Sequence, residues 1–194
     1  MRNKKILILC ESAIMLSLAF ALSYAKVWEM PLGGSITLAS MLPIMLISVK
    51  YGTRVGVSTA FVYSLLQAFQ AYLSGNVFPY CETEATLTLC ILFDYIVPFT
   101  LIGAAGVFKN SRAIKKQEIG VYVGMVSVVI LRFLSHFLTG IVIWGQWAPE
   151  GMGKYLYSFL YNGSFLSLDF AICLLAAVLI LRVKEMRRLL NLKI

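Results

Sequence analysis

The sequence predicts an all-α membrane protein: a compact bundle of six transmembrane helices with both termini cytoplasmic. Three observations carry that expectation. Of 194 residues, 60% are hydrophobic and only 13% are charged, with a mean hydropathy of +0.83. The apolar residues fall into runs rather than amphipathic stripes, and a run of about 20 residues spans the hydrocarbon as a helix. The basic residues gather at segment ends on one side, as membrane topology requires. The net charge of +8 therefore reads as a topology signal and not as a nucleic-acid surface.

Six segments follow in order: 6–25, 37–49, 55–73, 86–108, 119–145 and 156–181. The first begins after Lys4 and Lys5, superficially like a signal peptide, but it runs on to Tyr24 without a small-x-small cleavage site, so a first transmembrane helix fits better. The second is short, has Pro43 inside it and follows Gly33-Gly34-Ser35. Irregular backbone in a membrane is tolerated where protein covers it or where it borders a cavity. This segment is expected to be a bent helix whose entry loop folds over a site. The other four are longer. No repeat or low-complexity tract divides the chain, so residues 1–194 are read as one domain. Cys10, Cys81, Cys90 and Cys173 have neither metal-like spacing nor a paired framework, and read as packed thiols.

Orientation comes from Lys and Arg. With the N-terminus inside, the cytoplasmic ends hold Arg2, Lys4, Lys5, Lys50, Arg54, Lys109, Arg112, Lys115, Lys116, Arg182, Lys184, Arg187, Arg188 and Lys193, which is 14 of 17 basic residues. Lys26 and Lys154 lie outside, and Arg132 is intramembrane. The outer loops carry Trp28, Glu29, Tyr80, Glu82, Glu84, Trp147 and Glu150, an acidic and aromatic surface suited to a cation.

Most of the polar chemistry lies deep. An ionisable side chain in hydrocarbon is costly unless it is paired or faces a cavity, so it is by default a functional-site candidate. At 1.5 Å per residue, Asp94 lies about 12 Å from the outer end of its segment, His136 about 14 Å and Asn162 about 9 Å. Three helices thus bring polar groups to similar depth in the outer half, as a pocket open to the outside would. Arg132, His136, Gly140 and Trp144 recur every four residues and form one stripe. Gly140 leaves a gap in it for a ligand or another helix. Tyr157 and Tyr161 are four apart, as are Ser158 and Asn162, and Tyr95 follows Asp94. Aromatic rings beside a carboxylate suit a flat organic cation. Arg132 and Asp169 both sit near mid-membrane. They are expected to pair, or Arg132 pairs with Asp94 until ligand arrives.

The run Arg132-Phe-Leu-Ser-His136-Phe-Leu-Thr-Gly140-Ile-Val-Ile-Trp144, followed by Tyr157-Ser-Phe-Leu-Tyr-Asn162-Gly163, resembles the thiamine-binding S component of energy-coupling-factor (ECF) vitamin transporters. Asp94-Tyr95 and Gly33-Gly34-Ser35-Ile36 fit as well, and the likeness covers essentially the whole chain. The resemblance implies high-affinity capture of thiamine from outside a bacterial cell membrane, with no cofactor beyond the transported ligand. It implies that His136, Trp144, Tyr157 and Asn162 line the site, with Asp94 in a position that is often Glu and Arg132 in one that can be Lys. Gly34 stands where one member has tryptophan, so either Trp28 substitutes or the contact is absent; Tyr80, in the loop 74–85, is a lid candidate.

The chemistry agrees with that likeness. Thiamine joins a permanently cationic thiazolium to an aminopyrimidine. Asp94 suits the amino group and the positive charge, Trp144 a ring face, and His136 and Asn162 directional hydrogen bonds. The chain has no Gly-x-x-x-x-Gly-Lys-Ser/Thr loop and so no ATP hydrolysis by that route. The resemblance assigns energy to partners: a transmembrane coupling subunit and two cytosolic ATPases. Ala13-x-x-x-Ser17 falls where the family has a small-residue docking motif, and small residues allow close helix approach. Besides a purely structural membrane subunit that binds no ligand, two other functions compete. One is an S component for another vitamin or cationic heterocycle. The other is an intramembrane hydrolase using Ser135 or Ser164 with His136, although adjacent residues point about 100° apart on a helix.

Overall fold

The computed structural model describes residues 3–193. Arg2, counted among the cytoplasmic basic residues, lies outside them. Helix α1 spans Lys4–Tyr24. It starts where the Asn3 side chain accepts the Lys5 N–H at 3.1 Å, which satisfies one of the unpaired donors of a first turn. An antiparallel hairpin follows, β1 (Lys26–Glu29) with β2 (Ser35–Thr37). Then come α2 (Leu42–Tyr51) and α3 (Thr53–Ser74). The next rod is composite: α4 (Glu84–Cys90), a π-helical stretch Ile91–Ile96, and α5 (Val97–Leu101). Helices α6 (Gln117–Val142) and α7 (Lys154–Arg182) are the longest, and the short α8 (Lys184–Leu189) ends the described chain.

The core forms around α2. Leu42 through Val49 are all buried, and Met41, Ile44, Met45 and Ile47 have almost no exposure. Pro43 stands in the first turn, where a missing N–H costs nothing. Ten residues make a rod of about 15 Å, half the hydrocarbon thickness. Outward faces are apolar in the other direction: Leu9, Ile14 and Leu18 on α1, Phe61 and Phe69 on α3, Leu134 and Leu138 on α6, and Leu175 and Leu179 on α7 are exposed. In water such a surface would aggregate; against acyl chains it is stable.

Four helical rods among the described residues are long and apolar enough to cross a membrane: Lys4–Tyr24, Glu84–Ala104, Gln117–Val142 and Lys154–Arg182. These match the first, fourth, fifth and sixth predicted segments. The third is a 22-residue helix whose Gln67 and Gln70 lower its hydropathy. The second needs correction. Residues 37–41 are not helical: Thr37 closes β2, Ala39 has φ +58°, and α2 begins only at Leu42. The cause is tertiary, because Thr37 gives both its N–H and its hydroxyl to Asp169 on α7. The purely α-helical expectation is corrected by the same hairpin. The fourth segment also departs from a plain helix. Val97 N–H bonds the Leu92 carbonyl five residues back, and Pro98 has no N–H for the carbonyl of Asp94.

Basic residues at the α2–α3 end of the bundle are tied down. Lys50 Nζ lies 2.5 Å from Glu11 on α1, and Arg187 Nη1 lies 2.7 Å from Glu118 on α6. Lys109 donates to the carbonyls of Val49 (2.9 Å) and Leu190 (2.7 Å), a cation against the C-terminal ends of α2 and α8. Burial alone holds its ammonium below the usual lysine range.

Candidate functional site

A cavity of about 370 Å³ opens among the hairpin, α1, α3, the π-helical stretch, α6 and α7. That size suits a drug-sized guest. Of the residues singled out in the sequence, Asp94, Tyr95, Arg132, His136, Trp144, Tyr157 and Asn162 all line it. Tyr80 and Trp28 do not. Tyr80 packs edge-on against Trp147 at 5.6 Å, away from the cavity wall. Trp28 is 65% exposed on β1.

Asp94 is the centre of the polar arrangement. The wide π turn presents its carboxylate to α6, and only 8% of the residue is exposed. Oδ1 accepts from His136 Nδ1 at 3.0 Å and from the Thr139 hydroxyl; Oδ2 accepts from Trp144 Nε1 at 2.8 Å. Three charge-assisted hydrogen bonds offset the removal of the carboxylate from water. Thr139 was not singled out in the sequence, although its three-residue spacing from His136 puts both on one helix face. Trp144 lies beyond the end of α6, in a 3-10 turn Trp144–Trp147.

The second nitrogen of His136 is also engaged. Arg132 Nε donates to His136 Nε2 at 3.3 Å. Arginine has no acceptor, so Nε2 keeps its lone pair and Nδ1 carries the proton given to Asp94. Both ring nitrogens of His136 thus have protein partners, Asp94 and Arg132, while the residue lines the cavity where a guest contact is expected. Arg132 lies 4.3 Å over the Phe99 ring, and its Nη1 is 3.9 Å from Asp169 Oδ2. Of the two pairings expected for Arg132, the structure has the one with Asp169.

Asn162 points its amide nitrogen at the carbonyls of His136 (3.2 Å) and Ser158 (3.0 Å). Two acceptors fix the orientation of that amide and leave Oδ1 as its uncommitted acceptor. Gly140 makes this possible. A Cβ there would lie 2.1 Å from Ser158 Oγ and 3.0 Å from Asn162 Nδ2, so the gap seen in the sequence stripe is filled by α7.

The hairpin roofs the cavity and α7 holds it. Tyr161 donates its hydroxyl to the Pro31 carbonyl and accepts the Gly34 N–H at 2.9 Å. A Cβ on residue 34 would lie 2.7 Å from that hydroxyl, so a side chain there would have to displace the Tyr161 ring. Phe99 and Phe165 also line the cavity, as do Gln67 and Gln70. The phenylalanines carry no signal in so apolar a chain, but two amides three residues apart in a membrane segment do.

Comparison with known proteins decides the family. A family model described as thiamine transporter protein matches residues 9–190. The chain is 34% identical over 188 residues to thiamine transporter ThiT of Bacillus subtilis (strain 168), covering 92% of each.

This chain belongs to the thiamine transporter family.

ThiT of Lacticaseibacillus paracasei is 24% identical over 175 residues, covering 84% of this chain and 80% of that one. A solved structure of ThiT from Listeria monocytogenes superposes with a TM-score of 0.72 over 95% of this chain and 98% of that chain, at 23% identity. That superposition speaks to the shared fold. Membership makes this a transport protein of the membrane, in keeping with its apolar rods. The serines of the competing hydrolase reading have other partners in this family member. Ser135 donates to the Phe93 carbonyl at 2.5 Å and Ser164 to the Tyr161 carbonyl at 2.9 Å.

Proposed function

We propose that the chain is the thiamine-binding S component of an ECF-type uptake transporter in a bacterial plasma membrane. The observation that carries this is the buried Asp94 carboxylate, bonded to His136 and Trp144 and bordering a cavity of thiamine size. A carboxylate offers about four acceptor sites. Three are taken by protein donors, which leaves one on Oδ2 for the amino group of the guest. The negative charge offsets the thiazolium, and low dielectric strengthens both effects. Trp144, Tyr95 and Tyr157 provide ring faces, and Asn162 Oδ1 provides a directional acceptor. Tyr80 stays a lid candidate only by way of its contact with Trp147. Relatives named as thiamine transporters support the same ligand.

In this reading the chain crosses six times with both ends inside, α2 and the hairpin together filling one crossing, so that the cavity takes its guest from the outer face. Transport then needs an energy source, and a coupling subunit with two cytosolic ATPases would supply it. Ala13 and Ser17 are exposed on α1, as is Ala21, so this small-residue face is not consumed by packing within the described chain. It is the surface we assign to the coupling subunit. No resident cofactor is needed, because thiamine is cargo.

Titration of the purified protein with thiamine, followed by tryptophan fluorescence, tests the reading. Saturable quenching is expected, because Trp144 lines the site. Stronger binding of riboflavin, biotin or an unrelated cation would replace thiamine as the ligand.

A further inference from the structure

One wall of the cavity has no part in the Asp94 arrangement. Ser23 near the end of α1 meets Gln67 and Gln70 on α3, and all three line the cavity. Gln67 Nε2 donates to Ser23 Oγ at 3.0 Å and to Gln70 Oε1 at 3.2 Å, and Ser23 Oγ lies 2.9 Å from Gln70 Oε1. This web fixes both amides. The Gln67 nitrogen and the Gln70 oxygen face inward to the cluster. Gln67 Oε1 and Gln70 Nε2 are then the outward atoms, with no hydrogen-bond partner among the described residues.

We infer that Gln67 and Gln70 form a neutral subsite that binds the hydroxyl at the far end of the ligand. The inference rests on the thiamine reading above. An acceptor beside a donor is the complement of a hydroxyl, which both donates and accepts. The same pair disfavours a phosphate ester, whose acceptor-only oxygens would face Gln67 Oε1. Among the described residues the two cations that line the cavity are both paired: Lys26 with Glu29 at 2.7 Å, and Arg132 with Asp169 at 3.9 Å. Polar groups left unmatched in such a part-buried site reject an analogue more strongly than a missing methylene does. Cementing α1 to α3 is a structural duty of the cluster, but that duty alone uses only half of the two amides.

The test compares thiamine with its deoxy analogue, in which the hydroxyethyl arm is ethyl, and with thiamine monophosphate. Affinities are measured for the unmodified protein and for Gln67→Leu and Gln70→Leu. The unmodified protein is expected to prefer thiamine over the deoxy analogue by tenfold or more, and each variant to reduce that ratio at least fivefold. Gln70→Asn, which keeps an amide on a shorter arm, should fall between. Melting in detergent without ligand, together with saturable binding of the aminopyrimidine fragment, identifies variants that have lost their fold.

Three results would overturn the inference. One is an unmodified protein indifferent to the hydroxyl. Another is a folded Gln70→Leu that keeps the full ratio. The third is tighter binding of the monophosphate than of thiamine. In each of these thiamine still binds, so the parent reading stands. An unmodified protein that binds neither thiamine nor its analogues removes both.

Discussion

Arg132 Nη1 lies 3.9 Å from Asp169 Oδ2, and this pair joins the floor of the cavity to its roof. On one side Arg132 donates to His136, which donates to Asp94. On the other, Asp169 receives the N–H and hydroxyl of Thr37 at 2.8 Å each and so holds β2. Five residues from four parts of the chain thus share one polar path through a hydrocarbon-like interior. Removing one member of a buried pair leaves the other charged and unmatched. Asp169→Ala is expected to cost roughly 3 kcal/mol of stability. Asp169→Asn should cost less, because it keeps an acceptor for Thr37. Thermal unfolding in detergent measures both, and a melting point unchanged in Asp169→Ala would contradict the structural role of the pair.

Asp94→Asn, His136→Ala and Trp144→Ala should each weaken thiamine binding at least tenfold, which is about 1.4 kcal/mol. Asp94→Asn removes the charge and turns one acceptor into a donor opposite Trp144 Nε1. His136→Ala leaves Asp94 short of a partner, so its effect acts through the carboxylate. Calorimetric titration of the three variants checks this, and unchanged affinity in all three would reject the pocket.

Tyr161→Phe removes one hydroxyl that serves two backbone groups of the hairpin turn, Pro31 C=O and Gly34 N–H. Stability should fall by about 1 kcal/mol, the usual worth of such a bond. The larger effect is expected in kinetics: a looser roof should release thiamine at least threefold faster in stopped-flow fluorescence.

Gly140→Ala places a methyl group 2.1 Å from Ser158 Oγ. Helices α6 and α7 must then separate, at a cost of about 1–3 kcal/mol. Because Asn162 sits 3.0 Å from the same point, thiamine affinity should fall together with the melting temperature.

A serine-reactive fluorophosphonate should not label the chain, since Ser135 and Ser164 are bound to backbone carbonyls and neither is bonded to His136. Stoichiometric labelling would reopen a hydrolytic activity.

The rods of this protein were legible in the sequence because their cause is local. A stretch such as 156–181 is apolar on all sides, so only a helix satisfies its backbone in lipid. The deep polar residues were legible for the same reason: Asp94, His136 and Asn162 stand out where polarity is expensive. So was the stripe Arg132, His136 and Gly140, because four-residue spacing fixes a face regardless of partner; Trp144, four residues on, lies past the end of α6 in a 3-10 turn.

Tertiary structure decided the rest. Residues 26–37 became a roof because Tyr161 and Asp169, more than 120 residues away in sequence, hold its backbone. The π turn that aims Asp94 also meets α6, where Ser135 donates to the Phe93 carbonyl. His136 reads as a ligand contact in sequence, yet Arg132 takes its second nitrogen in the fold. Helical periodicity reports which way a side chain points. It does not report what meets it, because that partner arrives from a distant part of the chain, and in a low-dielectric interior the partner decides what each polar atom is free to do.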